Sequence, residues 1–295
     1  MKAHLSLFAT SIIFGLNYWV SKGLMPGFFN PVQLVLLRAL GALILVWIIQ
    51  LFYTNEKVAT KDMWLLVVFS LFGITLNQGL FYLGLNFTSP VDASIIHTVN
   101  PILVMLIAAF IIKEKITYQK LSGIVLGLTG ALIIVLYNKH AAIGSGSLLG
   151  NFLILLNGTA YAIYLVMVKP LMAKYKPLTV LKWVFLYGFI FTLPLLAFNS
   201  EMINFQHVTF KAWMAVGYII VFNSFVAYLL IVYALKHVNA TVAGFYAYLQ
   251  PVVAALIGII IGTELPDITK VIAALLIFTG VYLVSKTKKE VISMS

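Results

Sequence analysis

The fold of this chain is decided by two stretches of its sequence, HTVNPILVMLIAAFIIKE at residues 97–114 and AYLQPVVAALIGIIIGTE at residues 247–264. They lie 150 positions apart, and this offset brings Pro101 onto Pro251 and Glu114 onto Glu264. Proline and glutamate fall into register by chance much less often than apolar residues do. The two stretches therefore indicate an internal repeat.

The repeat extends outward from these stretches to the first apolar segment of each half. Lys22-Gly-Leu-Met25 aligns with Lys169-Pro-Leu-Met172 at a slightly smaller offset. The alignment predicts two related halves, residues 1–140 and residues 145–290.

The composition is that of a membrane protein. Of the 295 residues, 62% are apolar and 9% are charged, and the mean hydropathy is +1.06. A soluble domain has roughly 45–50% apolar and about 25% charged residues. The composition therefore excludes a soluble enzyme, a disordered chain and a nucleic-acid-binding domain. The absence of cysteine excludes disulfides, thiol nucleophiles and thiolate metal sites.

Ten segments are apolar and long enough to cross a membrane, which takes about 20 residues each. Their predicted limits are 4–21, 31–53, 63–86, 91–112, 118–137, 148–169, 177–198, 211–235, 240–262 and 268–285. The connections between them are too short to fold alone. We predict an all-α membrane protein with ten transmembrane helices and no separate soluble domain.

Lysines are distributed unequally between the two sides of the predicted membrane. Fourteen lie on one side, namely Lys2, Lys57, Lys61, Lys113, Lys115, Lys120, Lys169, Lys174, Lys176, Lys182, Lys236, Lys286, Lys288 and Lys289. The other side carries four, namely Lys22, Lys139, Lys211 and Lys270. Because basic residues concentrate in cytoplasmic loops, both termini are predicted to be cytoplasmic, in a bacterial-type inner membrane. The net charge of +11 then needs no nucleic-acid partner.

Each half holds five predicted spans, so the second half must enter the membrane from the side opposite to the first. Inverted repeats of this kind allow many secondary transporters to open alternately around one site. The repeat therefore favours a transporter of small molecules.

The chain resembles the EamA-type families of the drug/metabolite transporter superfamily. The residues that carry the resemblance are the helix of Arg38, Tyr82-Leu-Gly-Leu85, Ala93, Pro101 and Glu114, and in the second half Tyr233-Ala-Leu235, Ala243, Pro251, Glu264 and Gly280. The resemblance implies a ten-helix bundle whose central cavity exports or imports small metabolites, such as amino acids, without ATP. The chain departs from the small multidrug members, which carry a glutamate deep in the first helix, because that helix here has Asn17, Tyr18 and Trp19.

Pro101 and Pro251 are predicted to interrupt the fourth and ninth spans. A proline inside a helix removes one backbone hydrogen bond, which here frees the carbonyls of His97 and Ala247. Interrupted helices at matching positions of two halves indicate a transporter's binding site, although a simple packing kink is the alternative. We predict that both prolines are hinges.

Arg38 and His97 are the cationic or titratable groups predicted inside the membrane. A charge at that depth is paired or lines a polar cavity. Arg38 is therefore expected to pair with Asp92, to donate hydrogen bonds to loop carbonyls, or to contact substrate. His97 is expected either to carry a coupling proton or to be neutral and satisfied by one or two hydrogen bonds.

Polar and aromatic residues recur at comparable depth in several spans. The predicted substrate-binding residues are Asn17, Trp19, Arg38, Gln78, Tyr82, His97, Asn100, Asn157, Tyr161, Tyr164, Asn223, Tyr246 and Gln250. Each amide has the alternative role of tying helices together. Asp92, Glu114 and Glu264, at the membrane edges, are predicted to be structural or part of a gate, with Lys113 and Lys115 beside Glu114.

The predicted function is secondary transport of carboxylate-bearing or zwitterionic solutes, such as amino acids, by alternating access. No mid-membrane carboxylate balances Arg38 and His97, so lipophilic cations should be disfavoured. No phosphate-binding loop or His-Glu-x-x-His motif is present, so no enzyme activity, metal or cofactor is predicted. The expected partners are the lipid bilayer and a small-molecule substrate. The alternatives are an intramembrane enzyme for lipid-linked substrates, a channel, and a sensor or scaffold without flux.

Overall fold

The computed structural model describes residues 1–53, 56–88, 90–136, 147–198, 203, 207–261 and 268–286. Within these ranges the secondary structure is helical, without strands. The helical segments are α1 (Lys2–Leu24), α2 (Pro31–Gln50), α3 (Thr60–Phe87), α4 (Pro90–His97 and Asn100–Ile111), α5 (Tyr118–Leu136), α6 (Leu148–Val168), α7 (Pro177–Thr192, continued by a 3₁₀ helix, Leu193–Phe198), α8 (Phe210–Leu235), α9 (Ala240–Phe245, Tyr246–Tyr248 and Leu249–Ile261) and α10 (Ile268–Ser285). A single turn, Leu171–Lys174, follows α6.

The observed segments begin and end within three residues of the predicted ones. Six of them, α1, α2, α3, α6, α7 and α8, are long and apolar enough to cross a membrane. The prediction of an all-α membrane protein is confirmed, with six helices that are long and apolar enough to cross the membrane among the described residues.

Local signals in the sequence explain where several helices begin. At the start of α2, Asn30 accepts from the backbone N–H of Gln33, while the Gln33 side chain accepts from the N–H of Asn30. Ser147 and Thr209 accept in the same way from the first turns of α6 and α8. These side chains satisfy N–H groups that have no partner inside the helix.

Two of the helices are discontinuous. The first part of α4 ends at His97, and the second part begins at Asn100, with Pro101 in its first turn. In α9 the 3₁₀ turn Tyr246–Tyr248 precedes the part that contains Pro251. A proline in the first turn of a helix lacks only an N–H that would be unpaired there anyway. Both breaks therefore lie just before their proline, and the hinge role of the prolines stays a prediction.

Two π-helical stretches, which the sequence did not predict, occupy related places in the halves. They are Leu71–Leu76 in α3 and Ile219–Val226 in α8. An offset of 146 brings Asn77 in the first half onto Asn223 in the second. π-helical stretches are rare in proteins, and those that do occur are often found at functional sites.

The contacts between helices have a two-fold pattern. α1 packs against α8 and α9, and its counterpart α6 packs against α3 and α4. α2 packs against its own counterpart α7, and α5 against its counterpart α10. Every one of these contacts recurs when the two halves are exchanged.

The counterparts α5 and α10 run in opposite directions where they touch. A methyl group added to Gly123 would meet Val284, whereas one added to Gly130 would meet the carbonyl of Ala273. Residues later in α5 therefore contact residues earlier in α10. Matching helices of the two halves point opposite ways at this interface.

Two lysines hold matching helix ends in the two halves. Lys22 donates to the carbonyls of Leu85, at 2.8 Å, and Thr88, at 3.1 Å. Lys169 donates to the carbonyl of Leu235, at 3.2 Å, and also to that of Val238. The carbonyls at a helix C-terminus have no partner within the helix, so each ammonium group stabilises the end of the third helix of a repeat.

Glu114 pairs with a lysine other than the neighbours expected from sequence. Its carboxylate lies 3.0 Å from the Nζ of Lys120, and both side chains are buried. Lys113 and Lys115 are the neighbours of Glu114 in sequence, and the turn after α4 also brings Lys120, in the first turn of α5, to the carboxylate. Glu264, the residue that matches Glu114 in the second half, lies outside the described residues.

The close contact between α5 and α10 predicts the effect of a single methyl group. A Cβ on Gly280 would lie 2.7 Å from the carbonyl oxygen of Gly123, so Gly280→Ala should destabilise the protein by about 1–3 kcal/mol through overpacking. Thermal unfolding in detergent measures this change. Gly217→Ala in α8 is the matched control, because a Cβ there has no atom within 4 Å. Equal unfolding temperatures for both variants would contradict the observed contact.

Candidate functional site

A central cavity lies where the breaks of α4 and α9 meet α1, α2, α3, α6 and α8. The space measures about 520 Å³, including the part open to the surroundings. It is lined by Phe14, Asn17, Tyr18, Arg38, Asn77, Phe81, His97, Asn100, Asn157, Tyr161, Asn223, Tyr228 and Gln250. Irregular helices at this depth are tolerated where they line a cavity, which is their position here.

A chain of polar contacts joins five helices across the cavity. Tyr18 in α1 bonds through its hydroxyl to Nδ1 of His97, and this hydroxyl also lies 3.4 Å from Oε1 of Gln250. Nε2 of His97 lies 2.7 Å from Oδ1 of Asn157, and Nδ2 of Asn157 donates to the carbonyl of Asn77 at 2.5 Å. α9, α1, α4, α6 and α3 are therefore connected through polar groups.

These bonds determine which ring nitrogen of His97 donates. Because Asn157 donates to Asn77 through Nδ2, its Oδ1 is free to accept, and Nε2 of His97 is the donor. Nδ1 can then accept from the hydroxyl of Tyr18, so a neutral imidazole satisfies both contacts. Phe81 stacks on the ring, with centroids 6.2 Å apart and an interplanar angle of 19°. The geometry is that of a neutral histidine with both nitrogens bonded.

Arg38 is buried against the π-helical stretch of α8. Its Nε donates to Oγ of Ser224 at 2.7 Å, and a terminal nitrogen donates to the backbone carbonyl of Asn223 at 3.3 Å. When the amide of Asn223 is turned so that both its atoms find suitable partners, its oxygen lies 3.1 and 3.2 Å from the two terminal nitrogens. Ser224 is placed for this contact by the π geometry, since its own hydroxyl donates to the carbonyl of Ile219, five residues earlier.

The partners of Arg38 within the described residues are neutral, so its positive charge is not cancelled by them. Its guanidinium also lies 5.9 Å from the ring centre of Tyr82. The backbone carbonyl that accepts from Arg38 belongs to Asn223 in α8. One alternative from the sequence placed this carbonyl in a loop. The side chain of Asp92, the other expected partner, lies outside the described part of the structure.

The structure brings eight of the thirteen predicted substrate-binding residues to the wall of the cavity. They are Asn17, Arg38, His97, Asn100, Asn157, Tyr161, Asn223 and Gln250. These residues come from six helices, α1, α2, α4, α6, α8 and α9. Their convergence gives a set of hydrogen-bonding groups around one positive charge.

The other five, Trp19, Gln78, Tyr82, Tyr164 and Tyr246, do not line this cavity. Trp19 is 41% exposed, because a residue two positions after Asn17 lies about 200° around the helix. Gln78, Tyr82 and Tyr164 are fully buried in the packing between helices. Tyr246 turns instead towards the start of α1, where its hydroxyl lies 2.9 Å from Nδ1 of His4.

Five lining residues were not among the predicted ones, namely Phe14, Tyr18, Asn77, Phe81 and Tyr228. Helical spacing could have identified Phe14, since it lies three residues before Asn17. Phe81 lies four residues after Asn77, so these two share a helix face, but neither was predicted. Tyr228 follows a π-helical stretch, which changes the face that later residues present. Single-sequence spacing does not reveal that change.

The model of the EamA-like transporter family matches residues 1–136 and 148–286. The chain therefore belongs to the EamA-like transporter family and is a membrane transporter. This membership confirms the resemblance given above and the prediction that the protein is not an enzyme.

Curated relatives agree with this assignment, and a solved structure shows the same fold. The chain is 26% identical over 285 residues to "Uncharacterized transporter YyaM" of Bacillus subtilis (strain 168), covering 95% of this chain and 92% of that protein. It is 24% identical over 194 residues to "Probable terminal-alkyne amino-acid exporter" of Streptantibioticus cattleyicolor, covering 66% of this chain and 63% of that protein. One crystal structure has the same fold, with a TM-score of 0.75, 17% identity and 96% of each chain covered.

Asn157 connects three helices, so its loss should weaken the fold around the cavity. Asn157→Leu leaves the carbonyl of Asn77 and Nε2 of His97 without their present partner, and we expect a loss of about 1–2 kcal/mol in unfolding free energy. Unfolding in detergent measures this. Thr159→Val on the same helix is the control, since that exposed hydroxyl bonds only its own helix. Equal stability of both variants would refute the linking role.

Proposed function

We propose that the protein is a secondary transporter for carboxylate-bearing or zwitterionic small solutes, such as amino acids. The solute binds in the central cavity, which opens alternately to the two sides of the membrane. No ATP, metal or other cofactor takes part. The proposal rests on the charge and the hydrogen-bonding groups of the cavity.

The positive charge of Arg38 is the observation that carries the proposal. Within the described wall of the cavity, aspartate and glutamate are absent, and the bonded neighbours of Arg38 are neutral. Inside the membrane the dielectric constant is low, so the positive charge of Arg38 attracts a nearby anionic group strongly. Arginine can also bind a carboxylate through two parallel hydrogen bonds. A carboxylate beside Arg38 therefore compensates the buried charge.

Uncharged groups around the rest of the cavity suit the remainder of such a solute. Asn77, Asn100, Asn157 and Gln250 offer amide oxygens to an ammonium or hydroxyl group, and Tyr161 offers a ring. A lipophilic cation would face Arg38 without a compensating carboxylate. The relative in Streptantibioticus cattleyicolor, named as a probable amino-acid exporter, supports amino acids as the solute class and export as the direction.

Alternating access follows from the relation between the halves. We propose that all ten helices cross the membrane and that residues 1–140 and 145–290 are inverted repeats. The antiparallel contact of α5 with α10 supports this relation, because counterparts in inverted repeats run in opposite directions. The breaks in α4 and α9 then give each half one helix that can bend beside the cavity.

The proposed orientation has both termini in the cytoplasm of a bacterial-type cell. Because the chain has no cysteine, single introduced cysteines report it directly. Lys211→Cys, at the start of α8, should react with a membrane-impermeant maleimide on intact cells. Lys61→Cys, at the start of α3, should react only after permeabilisation. Both original lysines are exposed, which makes them a matched pair. The reverse pattern would overturn the orientation while leaving the site proposal intact.

The role of Arg38 is tested by flux into proteoliposomes, with a panel of labelled amino acids, organic acids and cationic dyes. Arg38→Gln should lower saturable flux of carboxylated solutes about ten-fold or more, the equivalent of a charged hydrogen bond of about 1.5–3 kcal/mol. Arg38→Lys should retain more flux, because it keeps the charge but not the paired donors.

Lys182→Gln is the control for loss of a positive charge outside the cavity, since the Lys182 ammonium lies 4.5 Å from the ring centre of Trp47. Its flux should match that of the wild type. Dye uptake as fast as amino-acid uptake would overturn the proposed solute class. Absence of flux for every solute, with folded protein in the bilayer, would favour a sensor or scaffold.

A further inference from the structure

A second, smaller chamber adjoins the central cavity. It measures about 300 Å³, including its opening, and shares Phe14, Tyr161 and Gln250 with the cavity wall. The rings of Phe14 and Tyr161 meet edge to face there, with centroids 6.3 Å apart. The junction between the two spaces is therefore largely apolar.

The rest of the chamber wall is apolar or already hydrogen-bonded. Leu7, Leu165, Ile231 and Ala247 contribute aliphatic surface. The hydroxyl of Thr10 donates to the carbonyl of Ser6 at 2.9 Å. A ligand in this chamber would meet hydrocarbon surface, and water would find few partners there.

Two contacts close the chamber at the end near the start of α1. Ser11 Oγ lies 2.8 Å from the carbonyl of Tyr246 and 3.0 Å from that of Leu7. The hydroxyl of Tyr246 lies 2.9 Å from Nδ1 of His4. From Phe14 to Leu7, α1 advances about 10 Å at 1.5 Å per residue. The chamber wall thus extends along α1 for about the length of an extended side chain, and these two contacts lie at its end.

We infer that this chamber is a subsite for the apolar tail of the transported solute. The head, with its carboxylate, lies beside Arg38 in the central cavity, and the tail passes Phe14 and Tyr161 towards Leu165 and Ala247. This inference rests on the proposed function and adds a selection for solutes with a longer apolar tail. Burial of each methylene in the chamber contributes to binding through removal of apolar surface from water.

The test compares saturable flux of leucine and methionine with that of alanine, in proteoliposomes, for the wild type and for Ala247→Leu. The larger side chain fills the chamber without touching the charged end of the cavity. We expect flux of the long-tailed solutes, at low concentration, to fall about ten-fold while alanine flux changes less than about two-fold. Ala197→Leu, at an exposed position in the 3₁₀ continuation of α7, is the control and should leave both unchanged.

A second variant keeps the inference testable if Ala247→Leu does not fold. Leu165→Ala enlarges the chamber, and it should raise the flux of 2-aminooctanoate relative to alanine by about five-fold or more. An unchanged ratio in folded Leu165→Ala protein would overturn the subsite.

The outcomes separate the subsite from the proposed function. If alanine flux is present but Ala247→Leu affects short and long solutes equally, the chamber is a passage or packing defect, and the subsite is refuted while the function stands. If the wild type transports alanine but leucine and methionine no better at low concentration, the subsite is also refuted. If the wild type transports none of the carboxylated solutes, the proposed function itself fails.

Discussion

Asn157 accepts from His97 at 2.7 Å and donates to the carbonyl of Asn77 at 2.5 Å, so one side chain ties α6 to α4 and α3. In hydrocarbon such partners are obligatory, because water cannot replace them. The same constraint explains why the helix breaks, the π-helical stretches and the buried Arg38 are gathered at one depth. Each of these features has polar groups in need of a hydrogen-bonding partner. The other features, or a polar solute, can provide that partner. The cavity is the place where these requirements meet.

The scaffold is nearly symmetric, but the charge on it is not. Gly41 in α2 packs on Ile220, and Gly188 in α7 packs on Ile74, which are matching contacts in the two halves. The offset that relates these glycines places Phe185 opposite Arg38. Phe185 is fully buried and packs on Tyr228, with ring centres 5.5 Å apart. One half therefore carries the cation while the other fills the matching position with a ring, so the two halves differ in charge at this position.

The central cavity and the adjoining chamber differ in chemistry for a local reason. Around Arg38 the π-helical stretch of α8 turns Asn223 and Ser224 inward. Along the first turns of α1, Thr10 and Ser11 instead use their hydroxyls on backbone carbonyls. Asn223 and Ser224 therefore make the central cavity polar, whereas Thr10 and Ser11 leave the chamber apolar although their side chains are also polar. The difference depends on which backbone groups already need a partner.

The sequence by itself determined the ten helical segments, the division into related halves and the convergence of most polar candidates, because apolar length, proline register and buried polar groups are local properties. Only the tertiary structure decided which polar residues share a wall. Asn17 lines the cavity and Trp19 does not, since neighbouring helices cover only one face of α1. The sequence also could not indicate the π-helical stretches, whose extra residue per turn is stabilised by contacts such as Ser224 with Arg38. Those contacts join residues 186 positions apart, beyond the reach of any local pattern.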